Sequence, residues 1–73
     1  MEHFKVTFDP NDIRDVLLDG KRIGPTETVL MTETNFYNVS LSGPLNYTPH
    51  SRGEVINGTT SEHPLVITFN RQP

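Results

Sequence analysis

The residues of this chain that could do chemistry include three histidines, His3, His50 and His63. None of them shares the one-turn helical or short-loop spacing that brings imidazoles onto one metal ion. The chain also has no cysteine that could complete such a site. We therefore expect no bound metal and no cofactor, and we interpret the histidines as surface or loop residues.

The adjacent pair His50 and Ser51 contains the two side-chain types that a serine hydrolase uses as base and nucleophile. Ser51 lacks the surrounding Gly-x-Ser-x-Gly turn that exposes such a nucleophile. Neighbouring residues on an extended chain also point to opposite sides. We therefore expect that the protein is not an enzyme.

An acidic run occupies the first quarter of the chain, at Asp9, Asp12, Asp15 and Asp19. Calcium loops need the pattern Asp-x-Asp-x-Asp-Gly followed by a bidentate glutamate, and this run has neither. We interpret these carboxylates as turn-forming and solvated groups.

One short segment, residues 45–52, gathers an aromatic ring, an imidazole, a hydroxyl and a guanidinium. Loops on a rigid scaffold concentrate recognition residues, and tyrosine and arginine are common interface anchors. We therefore predict that Tyr47, His50 and Arg52 contact a partner. The alternative is that Tyr47 packs over the edge of the fold with its hydroxyl bonded to main chain, while Arg52 is solvated.

The first element that positions this segment is a hairpin centred on Asp19 and Gly20. An Asp-Gly pair between apolar residues predicts a two-residue type I′ turn, in which both central residues have positive φ. One face of this hairpin is apolar and requires a second sheet to cover it. The expected cross-strand pairs are Leu18 with Lys21, Leu17 with Arg22, and Val16 with Ile23.

Alternation of apolar and polar residues, or a high content of β-branched residues, predicts the remaining strands. They are residues 3–8, 27–32, 35–42, 54–57 and 64–70. In the last of these, Leu65, Ile67 and Phe69 should point inward. About six to seven short strands separated by Gly, Pro and Asn turns predict an all-β fold, a compact antiparallel Ig-like β-sandwich. A single domain, residues 1–73, should fill the chain.

The net charge and the length of the apolar runs indicate which kinds of partner to expect. The net charge is −3, and the six basic residues are spread along the chain instead of forming a stripe that could neutralise phosphates, so we expect no nucleic acid partner. No apolar run approaches the roughly 18 residues of a membrane span, and the N-terminus lacks the pattern of a signal peptide. If Met1 is the native start, we expect a cytoplasmic protein.

The order of motifs resembles the PEGA family of small bacterial β-sandwich modules. Val-Thr-Phe-Asp-Pro at residues 6–10 resembles the opening strand and bend, and Val-Leu-Leu-Asp-Gly-Lys-Arg-Ile-Gly at 16–24 resembles the central motif. Residues 46–51 resemble the aromatic loop, and residues 66–69 the closing strand. The resemblance implies an accessory or interaction module without an enzymatic site, often joined to larger proteins at cell surfaces.

We therefore expect a non-catalytic protein-interaction or scaffolding module of PEGA-like type. Its partner would be another protein or a second copy, bound through residues 45–52 or through an edge strand. The final strand carries no lysine or internal proline that would blunt such pairing. The alternative is a small-ligand or carbohydrate-binding sandwich that uses residues 45–52. The absence of tryptophan and the presence of only two tyrosines favour protein contact.

Overall fold

All regular secondary structure in the computed structural model, which describes residues 1–72, is β-strand. This confirms the predicted all-β class, and the described residues contain no helix long and apolar enough to cross a membrane. Two short strands that alternation did not predict, β6 and β9, raise the count above seven. The strands are β1 (Glu2–Thr7), β2 (Asp15–Leu18), β3 (Lys21–Pro25), β4 (Val29–Thr32), β5 (Asn35–Leu41), β6 (Tyr47–Thr48), β7 (Arg52–Ile56), β8 (Leu65–Thr68) and β9 (Asn70–Arg71).

Two sheets supply most of the hydrophobic core, as the predicted sandwich requires. One has the order β4-β1-β8 and the other the order β3-β2-β5-β7, while β6 and β9 form a separate two-stranded sheet. Both main sheets contribute fully buried side chains to one cluster, which accounts for their alternating sequences. The core consists of Phe4, Val6, Val16, Leu18, Val39, Leu41, Tyr47, Ile56, Ile67 and Phe69.

One pairing departs from the expected antiparallel pattern. Strands β1 and β8 run parallel, with Val6 opposite Ile67, whereas the other strand pairs are antiparallel. Side chains alternate with a period of two in both kinds of sheet, so the sequence pattern could not distinguish them.

The hairpin turn has the predicted geometry. Asp19 has a φ of 51° and Gly20 a φ of 80°, the positive values that a type I′ turn needs. Glycine reaches such a φ without the steric penalty that a Cβ brings. The predicted pairs of Leu18 with Lys21 and Leu17 with Arg22 are confirmed.

The third predicted pair of the hairpin is wrong. Val16 lies opposite Gly24, not Ile23, because the register shifts between Val16 and Leu17. The shift makes Ile23 the extra residue of a β-bulge, which bends the edge strand β3. Ile23 nevertheless packs against the core, as its apolar character predicts.

The final strand has the predicted inward face. Ile67 and Phe69 are each 1% exposed and Leu65 is partly buried, while Val66 is 56% exposed. The strand predicted over residues 27–32 begins only at Val29. Glu27 precedes it in a turn with a φ of 64°.

Candidate functional site

Tyr47, the first of the three predicted contact residues, lies in the core and is 1% exposed. Its hydroxyl donates a hydrogen bond to the Leu41 carbonyl (2.9 Å) and accepts one from the Leu41 N–H (3.3 Å). Strand β7 begins at Arg52, opposite Val39, so Leu41 lies beyond the end of that strand. The hydroxyl therefore replaces the missing strand, as the packing alternative proposed. The Tyr47 ring offers neither a protein nor a sugar an exposed aromatic face.

His50 lies in the exposed stretch between β6 and β7. Its ring centre is 6.1 Å from that of Tyr47, at an interplanar angle of 77°. His50 therefore covers Tyr47 from the solvent side, and of the three predicted residues it is the one placed on an exposed loop.

Arg52 is the first residue of β7 and not part of a free loop. Its Nη1 donates a hydrogen bond to the Thr68 carbonyl (3.0 Å), and its Nη2 forms an ion pair with the Glu54 carboxylate (3.0 Å). Arg52 is therefore not simply solvated. Because β7 and β8 belong to different sheets, the guanidinium joins the two sheets along one margin of the sandwich.

This margin contains the edge strand β8, which is hydrogen-bonded to β1 alone. The Phe69 N–H donates to the Thr7 carbonyl (2.9 Å), so the main-chain groups of Phe69 point toward β1. Successive residues of a strand alternate in this direction, and the main-chain groups of Val66 and Thr68 therefore point away from the sheet. The Thr68 carbonyl accepts from Arg52, while the Thr68 N–H and both Val66 groups face outward.

The edges of the four-stranded sheet carry features that discourage pairing. Strand β3 contains Lys21, Arg22 and Pro25 together with the bulge, and β7 carries the charged residues Arg52 and Glu54. Strands β4 and β8, at the two edges of the other sheet, contain neither a charged residue nor a proline. The three-stranded sheet therefore has the more open edges.

Arg14, which no sequence motif singled out, is a buried cation directly before β2, 8% exposed. Its Nε and Nη2 donate to both carboxylate oxygens of Asp12 (3.1 and 2.8 Å). Its remaining N–H groups donate hydrogen bonds to the carbonyls of Ser42 and Pro44 and to the side-chain oxygen of Asn46. The guanidinium is fully engaged and ties residues 42–46 to the acidic run. This saturation leaves Arg14 no free donor for a ligand.

Arg71 completes this ion-pair network by donating to Asp9 and Asp12, at 2.9 Å in each case. The hydrogen bond from Arg14, followed by that from Arg71, lowers the pKa of Asp12 to about 2. The Asn11 N–H, followed by Arg71, lowers the pKa of Asp9. These two carboxylates are therefore ion-pair partners and not the solvated groups that the sequence suggested, although Asp9 does form a turn by accepting from the Asn11 N–H at 2.9 Å. The proximity of Asp12 to Arg14 in sequence was the available signal.

Among residues 1–72, no group of three or more His, Cys, Asp or Glu side chains converges as metal ligands would, and no enclosed pocket is present. The candidate site of the described chain is thus a surface, the β8 edge with Arg52 beside it. Comparisons with protein-family models, with curated proteins and with solved structures found no match.

Proposed function

We propose that the protein is a non-catalytic interaction module of PEGA-like type that pairs through β8 with a strand of a partner protein or of a second copy. The observation that supports this most directly is the outward direction of the Val66 and Thr68 main-chain groups at an edge without lysine or proline. Such an edge is a template for strand addition.

The exposed side chain of Val66 is also suited to contact an added strand. Val66 is 56% exposed on the outer face of the sheet, where an added strand would place a neighbouring side chain against it. Each main-chain hydrogen bond formed with an added strand contributes about 0.5 to 1.5 kcal/mol net. Several such bonds with the burial of Val66 give a weak to moderate affinity, which suits a reversible module.

The first test is the pair of variants Thr68→Pro and Thr68→Val. Both remove the threonine hydroxyl, which bonds the Thr7 hydroxyl at 3.0 Å, but only proline also removes the outward N–H. We expect sedimentation at high protein concentration to show self-association that Thr68→Val retains and Thr68→Pro loses. Circular dichroism must first show that both variants remain folded. A parent protein that stays monomeric at every concentration contradicts pairing with a second copy.

The second test distinguishes β8 from the opposite edge, β4. Val66 and Val29 are both exposed, and both lie opposite Lys5 in the register of the sheet. Val66→Lys and Val29→Lys are therefore matched variants on the two edges of one sheet. Only Val66→Lys should weaken association, because lysine on an edge strand opposes pairing. Loss of association in Val29→Lys alone would assign the contact to β4.

A further inference from the structure

We propose that Asn57 is a site of spontaneous covalent modification, at which its side-chain amide is lost to an attack by the main-chain nitrogen of Gly58. This inference is independent of the proposed function, because it concerns the connection between β7 and β8 and not the edge of β8. The Asn57-Gly58 pair is otherwise a turn signal of the same kind as Asp19-Gly20.

The surroundings of this pair leave it free to react. Asn57 is exposed and follows directly after β7, which ends at Ile56. No hydrogen bond to a described residue holds its side-chain amide. Gly58 is also exposed, and no heavy atom lies within 4 Å of the position that a Cβ would occupy. Glycine has no side chain to shield its own nitrogen. The attacking atom and the attacked carbonyl carbon are thus both accessible.

The chemistry needs only water. The Gly58 nitrogen loses its proton and bonds to the Asn57 side-chain carbonyl carbon, and the bond from that carbon to the amide nitrogen breaks as ammonia leaves. The product is a five-membered succinimide. Water then opens the ring at one of its two carbonyls and gives aspartate or isoaspartate. One water is consumed and one ammonia is released, with no oxidation or reduction.

Other asparagines in the chain are held away from this reaction. The Asn35 side-chain oxygen accepts a hydrogen bond from the Phe36 N–H (2.8 Å), which is the nitrogen that would have to attack. The Asn46 side-chain oxygen accepts from Arg14 at 2.7 Å. Both are followed by residues with bulky side chains. The structure therefore ranks Asn57 as more reactive than either of them.

The Asp19-Gly20 pair is an internal comparison, because it also has glycine after the reactive side chain. The Asp19 carboxylate accepts a hydrogen bond from the Asn38 N–H (2.9 Å), and the Asp19 N–H donates to the Asn38 carbonyl (2.9 Å). The hairpin thus fixes both the side chain and the main chain. We expect Asp19 to isomerise more slowly than Asn57 reacts.

The modification would weaken the hydrogen bonds that Thr59, two residues after Asn57, forms with the start of β1. The Thr59 N–H and hydroxyl donate to the Glu2 carboxylate at 2.9 and 2.6 Å, and the His3 N–H donates to the Thr59 hydroxyl at 2.7 Å. These bonds fasten the β7–β8 connection to the start of β1. Isoaspartate lengthens the main chain by one carbon and adds a negative charge near Glu2. Both changes loosen Thr59 from β1.

The test is to incubate the folded protein in mildly alkaline buffer and to locate conversion by peptide mass mapping. We expect the mass change and the isoaspartate signal to appear at Asn57 before they appear at Asn35 or Asn46. The aged protein should melt at a lower temperature than the fresh one. Asn57→Gln is the matched control, because its longer side chain would have to close a less favourable six-membered ring, and it should keep both its mass and its melting temperature.

Two further samples, the parent protein in denaturant and the variant Asn57→Asp, separate the effect of the fold from that of the sequence and the effect of charge from that of main-chain length. The parent protein incubated in denaturant reports the reactivity of the sequence alone, and conversion of Asn57 only in that arm would overturn the proposal. Freshly prepared Asn57→Asp carries the new charge without the longer main chain. We expect its melting temperature to fall less than that of the aged parent.

Discussion

The Arg52 guanidinium donates a hydrogen bond of 3.0 Å to the Thr68 main-chain carbonyl and so joins the edge strands of two different sheets. Glu54 holds the same guanidinium through an ion pair of 3.0 Å. The carbonyl that Arg52 occupies is one of the groups an added strand would use. Arg52 therefore competes with any strand that pairs along β8.

Arg52→Ala should strengthen association through β8, because it frees the Thr68 carbonyl. One additional main-chain hydrogen bond is worth about 0.5 to 1.5 kcal/mol, which corresponds to a tightening of roughly two- to tenfold. Sedimentation equilibrium measures this change. Arg22→Ala is the control, since Arg22 lies on β3, forms an ion pair with Asp15 of β2, and should leave association unchanged. Weaker association in Arg52→Ala would instead place Arg52 in the interface itself, as the sequence predicted.

Tyr47→Phe should destabilise the fold although it removes a single oxygen atom. Without the hydroxyl, the N–H and the carbonyl of Leu41 lose their partner in a buried position, which costs about 1 to 3 kcal/mol. Denaturant unfolding measures the loss. Tyr37→Phe is the matched control, because the Tyr37 hydroxyl donates to the exposed Glu33 carbonyl and accepts from the Thr32 hydroxyl, so its loss leaves no buried main-chain group without a partner. Equal losses in the two variants would contradict this account of Tyr47.

The sequence predicted the inward faces of the strands because alternation reports burial directly. Tyr37, Val39 and Leu41 are partly or fully buried as expected, and so are Leu65 and Ile67. Alternation does not predict which strands pair or in which direction they run. The parallel pairing of β1 with β8 joins segments far apart in the chain, and side-chain alternation contains no information on strand direction.

The residues of the candidate site were harder to predict, because their roles depend on where strands end. Tyr47 is buried since β7 stops short of Leu41 and leaves its main-chain groups for the hydroxyl. Arg52 meets Thr68 only because the two sheets share a margin. Arg14 bonds the carbonyls of Ser42 and Pro44, which lie far from it in sequence. Composition and spacing specify none of these three relationships.

Ile67→Asp should unfold the protein. Ile67 is 1% exposed, and a carboxylate placed there has no described partner to compensate its lost hydration. The free-energy cost of burying this carboxylate is comparable with the roughly 3 to 5 kcal/mol by which a core of this size stabilises the folded state. Thermal melting followed by circular dichroism measures the effect. Val66→Asp, one residue earlier on the exposed face, is the control and should remain folded. A cooperative transition of Ile67→Asp near that of the parent would refute the assigned inward face.

Stability should fall in acid, because the carboxylates of Glu2, Asp9 and Asp12 have a lowered pKa in the folded protein. The pKa of Asp12 falls from 3.8 to about 2, mainly through the hydrogen bond from Arg14. The pKa of Glu2 falls from 4.5 to about 2, mainly through the Thr59 hydroxyl and N–H. A lowered pKa stabilises the folded state at pH values above the ordinary pKa, and this contribution is lost as the pH falls through the folded value. The free energy of unfolding should therefore decrease as the pH falls from about 4.5 to about 2.

Asp12→Asn should accordingly be less stable than the parent at neutral pH, and the difference should shrink as the pH approaches 2, where Asp12 itself becomes protonated. Urea unfolding at a series of pH values measures the free-energy difference between the two proteins. Glu62→Gln is the control, because Glu62 is exposed and forms no ion pair with a described residue, and its difference from the parent should stay small throughout. A difference between Asp12→Asn and the parent that remains constant down to pH 2 would show that the hydrogen bonds to Arg14 and Arg71 do not depend on the charge of Asp12.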